Sequence, residues 1–201
     1  MKIRAARREE LVRLYEICLL TADVGDDASA IFSDSKALGD IWVGPYVLLE
    51  PDHAFVLAGE NDEAIGYCIA ARDTKTFQEK CDLIWWPGRQ GEFEHPVESH
   101  RASWSRDEKL AYEIHHPTPS PTELLDLYPS QAHINLLPAA RGLGLGRKIM
   151  EAMEDSLRAK GSHGLHLRVN PVNYNALDFY QALGYAIVMK IEHETIVAKA
   201  L

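Results

Sequence analysis

Positive charge is in short supply in this chain. Lys and Arg total 21 against 30 Asp and Glu, a formal net charge of −9, and no dense basic tract occurs. An acidic chain repels a phosphate backbone, so no nucleic-acid partner is expected, whereas a cationic amine or basic peptide would be attracted. Cysteine is also scarce. Cys18, Cys68 and Cys81 are odd in number and form no Cys-x-x-Cys pair. They are expected as reduced, buried thiols of a cytoplasmic protein, which excludes a disulfide framework. No apolar run reaches membrane-spanning length, and Met1 to Glu10 lacks the apolar core of a signal peptide. Neither a membrane nor a secretory route is therefore expected. What is present is ordinary for a globular protein: 46% apolar and 25% charged residues in 201 positions. That length suffices for one well-buried domain, expected to span 1–201.

The pattern of elements is mixed. Lys2 to Ala5 reads as a strand, and Leu11, Leu14, Tyr15, Cys18 and Ala22 share one helical face. A loop and a weaker helix follow, running past Asp34 to about Leu38, while the form of Ile41 to Leu49 stays open. Ala54 to Ala58 and Ala64 to Ala71 read as paired strands. The stretch from about 73 to 130 reads as a helical insertion. Within it Ser105-Arg106-Asp107-Glu108 and Ser120-Pro121-Thr122-Glu123 are capping boxes, the second opening a helix to about Leu127. A strand from Gln131 to Leu137 precedes a glycine-rich turn, and a helix runs from there to about Lys160. Strand, helix, strand and strand then finish the chain. This order reads as an α+β domain.

The stretch with the most chemistry is Arg141-Gly142-Leu143-Gly144-Leu145-Gly146-Arg147. A strand, a glycine-rich turn and a helix start put free N–H groups and the positive end of a helix dipole in one place, the outline of a phosphate site. The spacing fits neither a Walker loop, which needs Gly-Lys-Ser/Thr after four residues, nor the dinucleotide fingerprint, whose third glycine is missing. What stands here is Arg-x-x-Gly-x-Gly with Pro138 three residues before Arg141.

That pattern resembles the pyrophosphate loop of the GCN5-related N-acetyltransferase (GNAT) family. A second stretch, Asn173-x-x-Ala176-x-x-Phe179-Tyr180-x-x-Leu183-Gly184-Tyr185, is similar to the family's downstream signature and begins 32 residues after Arg141. The resemblance implies a mixed sheet of about seven strands with a splayed fourth strand, and acetyl-CoA as acetyl donor. By the same resemblance Leu136 and Leu137 face the pantetheine arm. Arg141, Gly142, Leu143, Gly144, Leu145, Gly146 and Arg147 hold the pyrophosphate, Asn173 contacts the pantetheine, and Tyr180 is the general acid for the leaving thiolate. A phenol of pKa near ~10 suits that task, because it stays protonated at neutral pH.

The remaining roles stay open. His133 has the intrinsic pKa of a general base, with Glu123 and Asp126 as alternatives. Asp26 and Asp27 follow the first helix, where the family builds its acceptor site, and Trp85 and Trp86 are candidates for an acceptor wall or for anchors of the insertion. No metal is expected, since His100, His115 and His116 lack ligand spacing. The acceptor is expected to be a small-molecule amine or a peptide or protein amine. Cys81, Trp85-Trp86-Pro87, His115-His116-Pro117, Tyr128-Pro129-Ser130 and His133 to Pro138 together are similar to bacterial acetyltransferases. These are the ones related to the C-terminal acetyltransferase-like domain of the eukaryotic O-GlcNAc hydrolases. That resemblance adds an alternative, a pseudo-acetyltransferase that binds acetyl-CoA without turnover.

Overall fold

The computed structural model describes residues 1–33, 35–191 and 193–201. Seven strands form one sheet in the order β1-β2-β3-β4-β5-β7-β6. The strands are β1 (Lys2–Ala5), β2 (Ala54–Ala58), β3 (Ala64–Ala71), β4 (Ser130–Leu136), β5 (Gly164–Val169), β6 (Ala186–Ile191) and β7 (Glu194–Ala200). All pairings are antiparallel except β4 with β5. That parallel pair is joined only at Ser130↔Leu165 and Gln131↔His166. Beyond it β4 continues along β3 and β5 continues along β7. The sheet therefore opens into a V, as expected of a splayed fourth strand.

Both faces of the sheet are covered. Against one lies α8 (Leu145–Ala159), whose Ile149, Met150, Met153 and Leu157 are fully buried with Leu57, Cys68, Leu165 and Val197. Against the other lie α1 (Leu11–Leu19), α2 (Lys36–Trp42) and α3 (Gly44–Leu49), packed on Val56, Tyr67 and Ile69. All of β3 is buried, and its Gly66 is required by close approach: a Cβ there would stand 2.4 Å from Leu136 Cδ2. Period-two alternation divides β4 accordingly, with Ala132, Ile134 and Leu136 toward α8 and Gln131, His133 and Asn135 toward α1–α3.

The insertion holds α4 (Thr74–Lys80), a π-helical turn (Cys81–Trp85), α5 (Trp86–Gln90), α6 (Arg106–His115) and α7 (Thr122–Leu125). The Ser105–Glu108 capping box forms. The second box does not. Pro121 takes the N-cap position without a side-chain bond, because Ser120 is buried within 3.5 Å of Gln78 and Gln131. The helix accordingly ends at Leu125, short of the expected Leu127. The open stretch Ile41 to Leu49 is helical, its two short helices joined at Val43 and anchored on buried Asp40, which accepts from Tyr15 Oη (2.7 Å) and Lys36 Nζ (2.8 Å). Of the loop before α2, Asp34 lies outside the described residues. The three cysteines are buried and unpaired, and no helix among the described residues is long and apolar enough to cross a membrane.

Candidate active site

The V between β4 and β5 is the mouth of a cavity of about 950 Å³. Its floor is β4, one wall is α1 with the following loop and α2, and the other is the glycine turn with α8 and α9 (Tyr174–Ala182).

The glycine turn has the backbone the sequence implies. Gly142 and Gly144 take φ of +73° and +70°, a region that L side chains occupy only under strain, and open space lies where their Cβ atoms would be. From Gly142 through Arg147, no backbone N–H has an acceptor among the described residues. The first bonds on either side are Arg141 N–H to Pro138 O (3.1 Å) and Lys148 N–H to Gly144 O (3.3 Å). A run of unpaired donors at the start of a four-turn helix is an anion cradle. Gly146 has another reason: a Cβ there would meet Phe179 and Leu136 at 3.1–3.2 Å, so it brings α8 against α9 and β4.

The two arginines of the loop are placed differently from the simple expectation of charge aimed at phosphate. Arg141 donates from Nε to Leu136 O (2.8 Å) and from its terminal nitrogen to Gly25 O, which clamps the post-α1 loop to the end of β4. Arg147 donates to Ala182 O (2.9 Å), at the C-terminus of α9. Leu143 is exposed, while Leu145 packs at the edge of the α8 core.

Strand β4 presents its backbone to the cleft in alternation. Leu137 N–H bonds to Ile65 O (3.0 Å), so the Leu137 amide is turned to β3 and away from the expected pantetheine path. The alternate residues Ile134 and Leu136 therefore direct their N–H and C=O groups to the open side. Leu136 C=O is taken by Arg141, which leaves its N–H, and both groups of Ile134, for a ligand.

Tyr180 is buried on α9 between Phe179 and Tyr185, at ring separations of 5.4 and 5.7 Å. It lines the cavity, and its hydroxyl has no hydrogen-bond partner among the described residues. Burial pushes its pKa upward, with a smaller push from nearby Cys68, so it holds its proton well into alkaline pH. Asn173, also on the cavity wall, caps α9 by accepting Ala176 N–H (3.0 Å).

The opposite wall contains a chain of hydrogen bonds running into the cleft. Thr21 Oγ1 donates to Ile17 O (2.7 Å), so its lone pairs accept the Asn135 side-chain N–H. That fixes the amide and leaves Asn135 Oδ1 buried with no partner among the described residues. His133, two residues along the same face, stacks on Trp42 (5.8 Å, 19°) and Tyr67 (6.2 Å, 29°). Burial holds its pKa down to about 4, opposed by the Asn135 amide beside it. His133 is therefore a neutral imidazole at pH 7, part of whose ring faces the cavity.

Other candidates fall outside. Asp26 reaches the rim, but Asp27 turns to solvent and accepts from Ser29 N–H and Oγ. Glu123 and Asp126 do not line the cavity. Trp85 is an anchor, donating to Asp40 O (2.9 Å) beneath the Arg89 guanidinium. Trp86 lines a smaller pocket, of about 120 Å³, which shares Trp42, Tyr46, Gln131 and Arg168 with the cleft. Trp42, Thr21 and Glu194 belong to the cavity wall and had no sequence signal. Glu194 is paired with Arg168 Nε at 2.6 Å.

Comparison with known proteins agrees with this geometry. A model of the Acetyltransferase (GNAT) family matches residues 21–185. Protein O-GlcNAcase of Rattus norvegicus is 28% identical over 182 residues, covering 89% of this chain, and that of Mus musculus is 28% identical over 180 residues. The chain spans 19% of the length of these curated relatives. Among solved structures, the crystal structure of SsHAT superposes with a TM-score of 0.90 at 30% identity, covering 99% of this chain and 97% of that one. The PaiA N-acetyltransferase from Thermoplasma acidophilum, solved in complex with coenzyme A, shares the fold at a TM-score of 0.60 and 12% identity. It covers 100% of this chain and 98% of its own.

Proposed function

The chain belongs to the GNAT acetyltransferase family, and from that premise we propose that it transfers acetyl from acetyl-CoA to an amine by direct attack. The observation that carries this reading is the run of unpaired N–H groups from Gly142 to Arg147, opening onto a cavity that also contains Tyr180 and His133.

The Gly142–Arg147 amides hold the pyrophosphate, with the charge of Arg141 and Arg147 close by, and Ile134 and Leu136 take the pantetheine amides in strand-like pairing. Acetyl-CoA bound there supplies an activated acyl group on a thiol leaving group. The residues of this chain then do three things. A β4 N–H donates to the acyl oxygen as negative charge builds on it. His133, neutral and stacked on Trp42, accepts the proton that the attacking nitrogen sheds as the C–N bond forms. Tyr180 donates its phenolic proton to the sulfur as the C–S bond breaks, and recovers one from solvent. Asn135 orients this wall, since the Thr21 bond fixes its amide. The acceptor is a primary amine on a small molecule or a peptide, drawn toward an acidic chain.

Acetyl-CoA at 100-fold its dissociation constant should raise the melting temperature by about 5–10 °C. Release of CoA with an amine panel should then report turnover. A chain that shows no thermal shift at saturating acetyl-CoA would end this reading, and a shift without any CoA release would reduce it to cofactor binding.

Gly144→Ala tests the loop itself. The left-handed backbone costs the variant about 1–2 kcal/mol, and the new Cβ projects into the space left for the ligand. Acetyl-CoA affinity is expected to fall by at least about tenfold, equivalent to ~1.4 kcal/mol. Calorimetry showing unchanged affinity would place the phosphate elsewhere.

A further inference from the structure

We propose that His95, Glu98 and His116 form a binding site for a divalent cation of the zinc type, joining the loop after α5 to the C-terminus of α6. One ligand atom from each residue lies within 4.8 Å of the others. The two imidazole Nε2 atoms are 2.9 Å apart, with the rings nearly perpendicular at 84°.

The protonation pattern is half set. His95 Nδ1 lies 2.9 Å from Pro96 O, which can only accept, so Nδ1 carries the proton and Nε2 presents a lone pair. An N–H turned to a backbone carbonyl is the usual support of a metal-bound imidazole. The His116 ring is held flat against Tyr112, with centroids 4.3 Å apart and planes at 30°, and Tyr112 in turn packs on Trp104 at 5.0 Å. Glu98 forms no ion pair or hydrogen bond among the described residues, because Arg101 stacks on Trp104 and Tyr112 instead. A free carboxylate beside two converging imidazoles has the ligand chemistry of a three-coordinate zinc site, whose fourth position water can fill.

Local spacing does not reveal this group. His115 and His116 are adjacent, yet His115, whose ring packs 4.8 Å from that of His95, commits its Nε2 to Phe93 O (2.9 Å), and His100 lies outside the cluster. His95 and Glu98 come from a segment about twenty residues earlier that the fold lays against α6. The consequence is mechanical. Leu110 of α6 lines the active-site cavity, and Glu113 lines the pocket beside it, so an ion here would fix one wall of the acceptor side.

Zinc titrated into the full chain by calorimetry should bind with one-to-one stoichiometry. Saturation at 100-fold the dissociation constant should raise the melting temperature by about 5–10 °C. His95→Ala and His116→Ala should each weaken binding at least about tenfold, and Glu98→Gln should weaken it less. His163→Ala, a surface histidine outside the cluster, should leave it unchanged. All three ligands are exposed, so the variants should stay folded, which circular dichroism verifies. Titration with Co²⁺ gives a second readout, since its visible bands are intense only in four-coordinate geometry. Stoichiometric binding that survives both His95→Ala and His116→Ala, or no uptake by the parent chain, would overturn the proposal and leave a His–His hydrogen bond.

Discussion

Tyr180→Phe is expected to reduce acetyl transfer by about 10²–10⁴-fold while leaving acetyl-CoA affinity nearly unchanged. The substitution deletes one oxygen and keeps the ring, so the packing against Phe179 and Tyr185 survives. The hydroxyl takes no partner from the described protein, so its removal leaves no protein donor or acceptor unpaired. Its pKa, raised first by burial, keeps it protonated wherever the enzyme is active, and the parent rate should not decline in mild alkali on account of this group. The expected signature is thus a fall in kcat with little change in KM for acetyl-CoA. Turnover reduced by less than tenfold would remove Tyr180 from the proton path and direct attention to solvent as the acid. His133→Ala separates the two wall functions: it should lower kcat with the acid still in place.

What the sequence revealed of this site follows the range of the interactions. The glycine turn and α8 are local: each rests on residues within about four positions, and periodicity with glycine spacing is enough to place them. Helix α2 was harder to read, because its buried face depends on Asp40 gathering Tyr15, Lys36 and Arg89 from three segments. Trp42, at its end, stacks on the His133 ring without any spacing that would link them. Arg141 is a plainer lesson. A positive residue beside a phosphate loop suggests a phosphate ligand, but two carbonyls, one at the end of β4 and one at Gly25, claim its guanidinium first. The Leu137 amide was likewise decided by register, which turns alternate N–H groups toward β3 and away from the cleft. The Thr21–Asn135 contact joins residues 114 positions apart, and only the closed fold brings them together.

Acid should unfold this protein in the range where histidines titrate. His166 is fully buried on β5, with Nδ1 against Tyr128 O (2.8 Å) and Nε2 without a partner among the described residues. Burial, helped by nearby Arg168, holds its pKa down to about 4 from an ordinary 6.5. Between those values the unfolded chain binds a proton that the native chain refuses. Stability is therefore complete above pH ~6.5 and is lost as pH falls toward ~4, by up to about 3 kcal/mol for this one group. His133 is depressed in the same direction, but its side chain is only partly buried, so its share should be smaller. His53, lowered by burial and bonded to Ser156 Oγ (2.9 Å), adds to the same window. Urea denaturation across pH 4.5–7.5 should show proton uptake on unfolding, and His166→Gln, neutral at every pH and able to donate to Tyr128 O, should lower that uptake by about one proton. An unchanged pH slope in the variant would mean that the buried imidazole takes up its proton in the native state as readily as in the unfolded chain. It would then need a buried anion beside it, and Glu194, a carboxylate lining the same cavity, is already held by Arg168 at 2.6 Å.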